Sequence, residues 1–136
     1  MIPNKSDNRT LDQKRAEYAL QKVKEIEKQK YGHYVSYVSA LPATIVMNGL
    51  GQALVTLLAK AKSNQNDPHR MLYNHVAGWL SEQIPGLNGG SDHVIEKIME
   101  NNQSVYLRAQ TEAIAYLNWL KQFARAYLND EEGKNE

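Results

Sequence analysis

Residues 37–60 constrain the fold most, because they have the apolar spacing of a helix and yet include Pro42, Gly49 and Gly51. Proline lacks an amide hydrogen and disfavours the α conformation in the residue before it, so we expect a kink or a helix restart at Pro42. Each glycine inside a helix costs about 1 kcal/mol relative to alanine. We therefore expect the two glycines to permit close approach of another helix, or else to belong to a surface that contacts a partner.

The length and composition of the chain limit the classes of protein to which it can belong. At 136 residues it can bury one hydrophobic core, so we predict a single domain over residues 1–136 that needs no metal or disulfide. The sequence has no cysteine, and no apolar run reaches the roughly 18 residues of a membrane span, so we expect a cytoplasmic protein. Sixteen Lys and Arg residues against fifteen Asp and Glu residues give a net charge of +1, so local patches would have to hold any anionic partner.

Apolar residues recur at intervals of three and four along the long segments, which predicts an all-α fold. No segment shows the alternation of a strand, and no strict heptad is sustained, so we expect a compact single-domain bundle and not a coiled coil. About five helices are predicted, over residues 11–30, 35–61, 68–84, 92–100 and 104–128, between a polar tail at 1–9 and a charged tail at 129–136.

The ends of these helices are indicated by capping residues. A short polar side chain before a helix accepts hydrogen bonds from its first amides, proline suits the first turn, and glycine readily adopts the conformation that ends a helix. By these rules the expected N-caps are Thr10 or Asp12, Asp67 followed by Pro68, and Ser91 or Asp92, and the expected C-cap of the first helix is Gly32.

Catalytic and metal-binding motifs are absent from the sequence. The four histidines, His33, His69, His75 and His93, show none of the paired spacings of metal sites. The carboxylates lie among lysines or on polar helix faces, which gives no reason to expect a raised pKa. Serine nucleophile elbows and phosphate-binding loops are also missing. We therefore expect no metal, no cofactor and no catalysis.

Several basic residues are candidates for contact with nucleic acid, because lysine and arginine hold phosphates. Two explanations stay open, since lysines interleaved with glutamates also form ordinary solvated faces and lysines at a helix C-terminus also suit the helix dipole. On the first helix and around the end of the core helix the candidates are Lys14, Arg15, Lys22, Lys24, Lys28, Lys60, Lys62 and Arg70.

Five segments carry a family resemblance: LDQKRAEYAL at 11–20, LPATIVMNGLGQALVTLLAK at 41–60, YNHVAGWL at 73–80, EKIME at 96–100 and TEAIAYLNWLKQFARAYL at 111–128. Together they resemble the small subunit of the Cmr-type (type III-B) CRISPR RNA-guided effector complex. NGLGQ and YLNWLKQFA are the most specific parts. The first ten residues, the PGLNGGS loop and the acidic C-terminus lie outside the resemblance.

The resemblance implies a small helical protein without catalytic residues that stacks in several copies along a ribonucleoprotein filament. There it would face the duplex of guide RNA and target RNA. In such complexes target cleavage is assigned to the repeated backbone subunit, and DNA cleavage and cyclic nucleotide signalling to the large subunit. The implied partners are these two subunits, further copies of the chain and both RNAs, with no membrane.

The resemblance also implies roles for individual residues. Weak contacts to the RNA backbone become useful when many copies act together. The alternatives are a stand-alone helical adaptor that binds a protein groove and an undetected small enzyme. Asn48, Gly49, Leu50, Gly51 and Gln52 would shape the fold; Lys14, Arg15, Lys60 and Lys121 lie in matching motifs and are candidates for RNA contact, and Lys62, Arg70 and Arg125 are added by position alone.

Overall fold

The computed structural model describes residues 7–128, and every regular element in this range is helical. The predicted all-α class is confirmed, with six α-helices in place of about five. No helix in the described range has the length and apolar character needed to cross a membrane. The predicted tail at 129–136 and the first six residues of the chain lie outside this range. The helices are α1 (Leu11–Lys24), α2 (Tyr31–Asn48), α3 (Leu50–Ala61), α4 (Pro68–Gln83), α5 (Val94–Glu100) and α6 (Gln103–Tyr127), with 3₁₀ turns at Lys28–Lys30 and Ser91–His93.

Helix α6 forms the centre of the bundle, because α1, α2 and α4 all pack on it. Its buried face alternates small residues, Ala109, Ala113 and Ala124, with Leu117 and Leu120. The alanines have almost no side chain to keep a neighbouring helix away, and the leucines fill the space between them. The apolar stripe predicted for the last helix is therefore buried at the centre of the core.

Two of the predicted N-caps are confirmed. Thr10 Oγ1 accepts a hydrogen bond from the Gln13 amide at 3.0 Å, and Gln13 Oε1 accepts one from the Thr10 amide at 2.8 Å, which completes a capping box. Asp67 accepts a hydrogen bond from the His69 amide at 2.7 Å, with Pro68 in the first turn of α4. These starts depend on neighbouring residues alone, so local sequence specifies them.

Two predicted helix boundaries are wrong. Helix α1 ends at Lys24, not near residue 30, because residues 27–30 offer no apolar side chain to bury. Gly32 consequently lies inside α2 and does not cap α1. Ser91 and Asp92 belong to a 3₁₀ turn, and α5 starts after it without a capping side chain.

The break in the long core segment is at Gly49, not at Pro42 as expected. Pro42 lies inside α2, which tolerates the loss of one amide donor. Gly49 has φ +89° and ψ 156°, a conformation essentially restricted to glycine. Its amide donates to the carbonyl of Ile45 at 2.7 Å, which ends α2. A single residue therefore separates α2 from α3.

Side chains of α6 satisfy the first amides of α3 at this junction. The Leu50 amide donates to Gln110 Oε1 at 2.9 Å, and the Gly51 amide donates to the Tyr106 hydroxyl at 3.0 Å. A Cβ at Gly51 would lie 3.2 Å from Met99 Cε and 3.6 Å from the Tyr106 hydroxyl oxygen. Gly51 thus lies against α5 and α6, as the sequence led us to expect.

Candidate nucleic-acid interface

Arg15, one of the basic candidates, is engaged in the interior of the bundle. Its Nε and Nη2 donate to the two carboxylate oxygens of Glu112 at 2.6 and 2.8 Å, and its Nη1 donates to Asp12 at 3.0 Å. The Glu112 carboxylate also accepts a hydrogen bond from Trp79 Nε1 at 2.9 Å. This network joins α1, α4 and α6, so the geometry favours a role for Arg15 in stability.

The charges of this buried pair reinforce each other. Burial by itself raises the pKa of Glu112, but the hydrogen bonds from Arg15 and Trp79 and the charge of Arg15 outweigh it, and the pKa lies below its usual value. The hydrogen bond to Glu112 in turn raises the pKa of Arg15. Both groups therefore stay ionised around neutral pH, and the pair fixes the relative positions of α1 and α6.

Arg70 is also positioned by neighbouring side chains. Its Nε donates to Asn74 at 3.2 Å, its Nη2 donates to Asp92 at 2.9 Å, and its guanidinium lies 5.6 Å from the centre of the Tyr73 ring. Because Asp92 is well exposed, the ion pair contributes little to stability. It does orient Arg70 along the surface between α4 and the turn before α5.

Lys14 lies in a region of mixed charge. Its Nζ is 4.0 Å from Asp7, and Arg9 beside it pairs with both Asp7 and Glu17. A groove of about 290 Å³ between α1 and α4 is lined by Lys14, Glu17 and Glu82 among others. The carboxylates offset the positive charge, which disfavours phosphate in this groove.

The clearest basic cluster lies where α3 ends. Lys60 is in the last turn of α3 and Lys62 follows it in the left-handed conformation, with φ 51°, and both are exposed. Lys60 lines a groove of about 130 Å³ together with Tyr37 and His69. The rings of Tyr37 and His69 stack with their centres 3.8 Å apart. This cluster combines two exposed cations with an aromatic pair.

The carboxylate of Asp67, which contacts His69 of this cluster, is already occupied. Its Oδ1 accepts a hydrogen bond from the His69 amide and lies 2.8 Å from Nδ1 of the His69 ring. Burial by itself raises the pKa of Asp67. The two bonds to His69 and the charges of His69 and Lys30 lower it by more, so the pKa lies below its usual value. Asp67 is therefore engaged with His69, and neither Lys60 nor Lys62 forms an ion pair with a described residue. We call Lys30, Lys60, Lys62 and His69 the basic end.

Lys121 and Arg125 lie in the C-terminal part of α6. Lys121 lines a groove of about 540 Å³ with Trp119. The Trp119 and Phe123 rings lie 5.5 Å apart, and the Phe123 and Tyr127 rings lie 6.1 Å apart. Lys121 thus borders an aromatic side chain, Arg125 follows one turn later on α6, and neither lines the groove of the basic end.

Within residues 7–128, no three His, Asp or Glu side chains are grouped so that they could hold a metal ion. His75 is buried, with Nδ1 2.6 Å from the Tyr34 hydroxyl. Burial lowers the pKa of His75 to about 3, so its ring is neutral in the folded protein. Its contacts are those of a core residue.

Comparison with known proteins decides the family. The family model for the CRISPR-associated protein Cas_Cmr5 matches residues 11–127, which is nearly the whole described range. The chain belongs to the Cmr5 family. The resemblance found in the sequence is confirmed, and the chain is a subunit of a type III-B CRISPR Cmr complex that associates with other Cmr components.

Individual Cmr5 proteins are similar to this chain over most of their length. The CRISPR system Cmr subunit Cmr5 of Thermotoga maritima is 32% identical over 129 residues, covering 93% of this chain and 91% of that protein. The subunit of the same name from Thermus thermophilus is 30% identical over 123 residues, covering 90% and 99%. A crystal structure of a Cmr5 family protein from Thermus thermophilus superposes with a TM-score of 0.67 at 30% identity, covering 87% of this chain and 97% of that one.

Two features of this Cmr5 family member were missed by sequence reasoning. The pairing of Arg15 with Glu112 joins residues 97 positions apart, and no local pattern indicates it. The second feature is a surface without charge on α2 and α3, and here a signal exists in the sequence. Residues 31–59 contain no Lys, Arg, Asp or Glu.

Proposed function

We propose that this chain is a non-catalytic structural subunit of a type III-B CRISPR ribonucleoprotein effector complex, which stacks along the filament and helps to hold guide and target RNA in antiviral defence. It would act in the cytoplasm with the large subunit, the repeated backbone subunit and further copies of itself. The observation that carries the RNA-binding part is the basic end, where Lys60 and Lys62 are exposed and form no ion pair with a described residue.

A few cations per copy suit this task. RNA of arbitrary sequence has to be held by its phosphates and its shape, without contacts to base edges. A chain of net charge +1 binds RNA weakly by itself, and repeated copies on one RNA multiply the effect. The basic end therefore fits a subunit that binds RNA only within an assembly.

The other predicted RNA-contact residues receive less support. Arg15 pairs with Glu112, Arg70 pairs with Asp92, and Lys14 lies among carboxylates. Lys121 borders the Trp119 side chain in a groove better suited to protein, and Arg125 lies one turn further along α6, away from the basic end's groove. We accordingly propose the basic end as the main RNA contact.

A stand-alone helical adaptor is the second candidate, because Val46 and Met47 are 70% and 81% exposed. An adaptor would bind a protein outside the Cmr complex. The Cmr role predicts that the tagged chain, isolated from its own cells, co-purifies with the other Cmr subunits and with guide RNA. Co-purification with an unrelated protein and no RNA would favour the adaptor.

The test of RNA holding uses the double variant Lys60→Ala/Lys62→Ala in a reconstituted complex. We expect weaker capture of target RNA and a shallower salt dependence, by about 1 in the logarithmic slope for each phosphate that the variant no longer binds. The matched control, Lys14→Ala/Lys24→Ala, removes the same charge from α1 and should leave capture unchanged. Normal capture by the first variant would show that the basic end does not contact RNA.

A further inference from the structure

The groove beside the basic end lies between the two arms of the α2 and α3 hairpin. Leu41 and Leu57 contribute apolar side chains to it, and Thr44 and Thr56 contribute hydroxyl groups. Lys60, in the last turn of α3, is the cation that lines it. Tyr37 of α2 and His69 of α4 supply aromatic rings. We call this space the hairpin groove.

The aromatic pair of the hairpin groove is held in place by its neighbours. The rings of Tyr37 and His69 stack with their centres 3.8 Å apart and their planes 16° from parallel. Asp67 Oδ1 lies 2.8 Å from His69 Nδ1 and accepts a hydrogen bond from the His69 amide at 2.7 Å, which fixes the position of that ring. Because the flat surface exists before a ligand arrives, binding does not require the rings to be ordered first.

A third ring continues the row into solvent. His33 is exposed one turn before Tyr37 on α2, and the centres of these two rings lie 6.1 Å apart. Tyr37 itself is partly exposed. Aromatic rings favour offset stacking on one another, so a further flat ring is a suitable ligand for this row.

The charges around the hairpin groove favour an anionic ligand. No carboxylate lines it, whereas Asp12 lines the groove beside Trp119, and Glu17 and Glu82 line the groove between α1 and α4. Lys60 and Lys62 are exposed and form no ion pair with a described residue. The cations are therefore available to a phosphate beside the groove.

The size of the hairpin groove limits what it holds. Its volume is about 130 Å³, whereas sites for drug-sized ligands run to about 300–1,000 Å³. A whole nucleotide is too large for it. A single flat ring fits, provided that the sugar and the phosphate stay outside, where the lysines lie.

We propose that the hairpin groove binds one unpaired nucleobase of the RNA whose phosphates contact the basic end. This rests on the proposed function and adds a second kind of contact to it. Stacking on aromatic rings accepts any base, which suits an RNA of arbitrary sequence. A base inside a duplex is already stacked, so the ligand is a base from a single-stranded stretch or one splayed out of the helix. An apolar side chain of a protein would fill the same space but would leave Lys60 and Lys62 without an anion.

Photo-cross-linking tests the contact directly. One 5-iodouridine is placed at each position in turn, in the target RNA in one series and in the guide RNA in the other, and the reconstituted complex is irradiated with near-ultraviolet light. The label couples to an aromatic ring on which it stacks, and the modified peptide is identified by mass. We expect at least one position of one strand to label Tyr37 or His69, which also identifies the strand. If no position of either strand labels these two residues, the proposal is wrong.

Substitution of Tyr37 tests whether the ring contributes to binding. Tyr37→Leu keeps an apolar side chain but removes the ring, and Tyr37→Phe keeps the ring. We expect Tyr37→Leu to weaken binding of the cross-linked strand by at least about five-fold, with the same dependence on salt because no phosphate contact is lost. Tyr37→Phe should bind as the native chain does. The matched control, Tyr127→Leu, removes an exposed ring at the end of α6 and should have no effect.

Three results would overturn the proposal: equal binding by Tyr37→Leu and the native chain, equal losses in Tyr37→Leu and Tyr37→Phe, or loss of a neighbouring subunit from the Tyr37→Leu complex without any cross-link to RNA. The last result would assign the groove to a protein side chain. The circular dichroism of each isolated variant confirms that its helices are intact.

Failure of this proposal is distinguishable from failure of the proposed function. Weaker capture by Lys60→Ala/Lys62→Ala, with no effect of Tyr37→Leu and no cross-link, would contradict only the nucleobase site. A cross-link at Tyr37 together with normal capture and an unchanged salt dependence for the lysine variant would contradict only the phosphate contacts of the basic end.

Discussion

The hairpin of α2 and α3 and the pair of α1 and α6 are held together by different means. Residues 31–59 contain no Lys, Arg, Asp or Glu, so the hairpin relies on packing and on the backbone conformation of Gly49. Helices α1 and α6 are joined by the buried pair of Arg15 and Glu112. The difference shows that a charged pair stabilises the packing of α1 on α6, whereas α2 and α3 pack without charged side chains. The uncharged surface of α2 and α3 is therefore suited to contact with another protein.

The hairpin also explains how the basic end arises. Its two arms fold back on each other, since Tyr37 of α2 and Lys60 of α3 line the same groove. Lys30 and Lys60 flank the uncharged run in sequence, and the fold brings both towards His69 and Asp67. The uncharged hairpin thus has the basic end at its open side and two exposed apolar residues, Val46 and Met47, at its closed side.

The largest effect is expected from Gly49→Ala, which attacks the backbone conformation of the hairpin. Alanine is strained at φ +89°, and its Cβ would lie 2.9 Å from the Tyr106 hydroxyl that satisfies the Gly51 amide. We expect the free energy of unfolding in urea to fall by about 3 kcal/mol. Gly32→Ala is the control, because this exposed glycine lies within α2. The free energy of unfolding of that variant should be unchanged or higher, since alanine favours a helix more than glycine does. Equal losses in both variants would contradict the special role of Gly49.

The next effect is expected from Glu112→Gln, which attacks the charged region. The substitution leaves the Arg15 guanidinium with only the exposed Asp12 as an anionic partner. We expect a loss of about 2 kcal/mol in the free energy of unfolding, below the range for a fully buried pair because Arg15 is partly exposed. Glu17→Gln breaks an exposed pair with Arg9 and should cause no measurable change. If Glu112→Gln and Glu17→Gln had the same free energy of unfolding, the pair of Arg15 and Glu112 would not hold α1 to α6.

A smaller and pH-dependent effect is expected at His75, which links α2 to α4 through Tyr34. The pKa of His75 is about 3 in the folded protein and near 6.5 in the unfolded chain, so the unfolded chain binds the proton first as the pH falls below 6.5. This contribution lowers stability progressively from pH 6.5 to about 3, by about 1.3 kcal/mol between pH 7 and 5.5. His75→Gln removes the titration, and urea unfolding should then lose less stability over that interval than it does in the native chain. The same pH dependence in both would show that His75 is not the group responsible.

The sequence predicted the parts of the fold that neighbouring residues determine. Thr10 with Gln13 and Asp67 with Pro68 are local arrangements, and both helix starts were found. The position of the hairpin break was not predicted, because Pro42 disfavours a helix more strongly than Gly49 does by its local effect alone. Gly49 is the break because Gln110 and Tyr106, some sixty residues away, satisfy the amides that the break exposes.

The candidate site was predictable to a similar degree. The basic residues were visible in the sequence, but their division into paired and unpaired groups depends on distant partners such as Glu112 for Arg15. Their spatial grouping depends on the hairpin, which brings Lys60 next to His69. The family resemblance supplied the assembly, and no local pattern could have done so.

The most direct test of the central claim asks which molecule each end of the hairpin touches. A photo-reactive benzoylphenylalanine replaces either Lys62 at the basic end or Met47, an exposed apolar residue at the closed side of the hairpin, and the reconstituted complex is irradiated with bound guide and target RNA. We expect position 62 to cross-link to RNA and position 47 to cross-link to protein. Cross-links to RNA from position 47 and to protein alone from position 62 would contradict it.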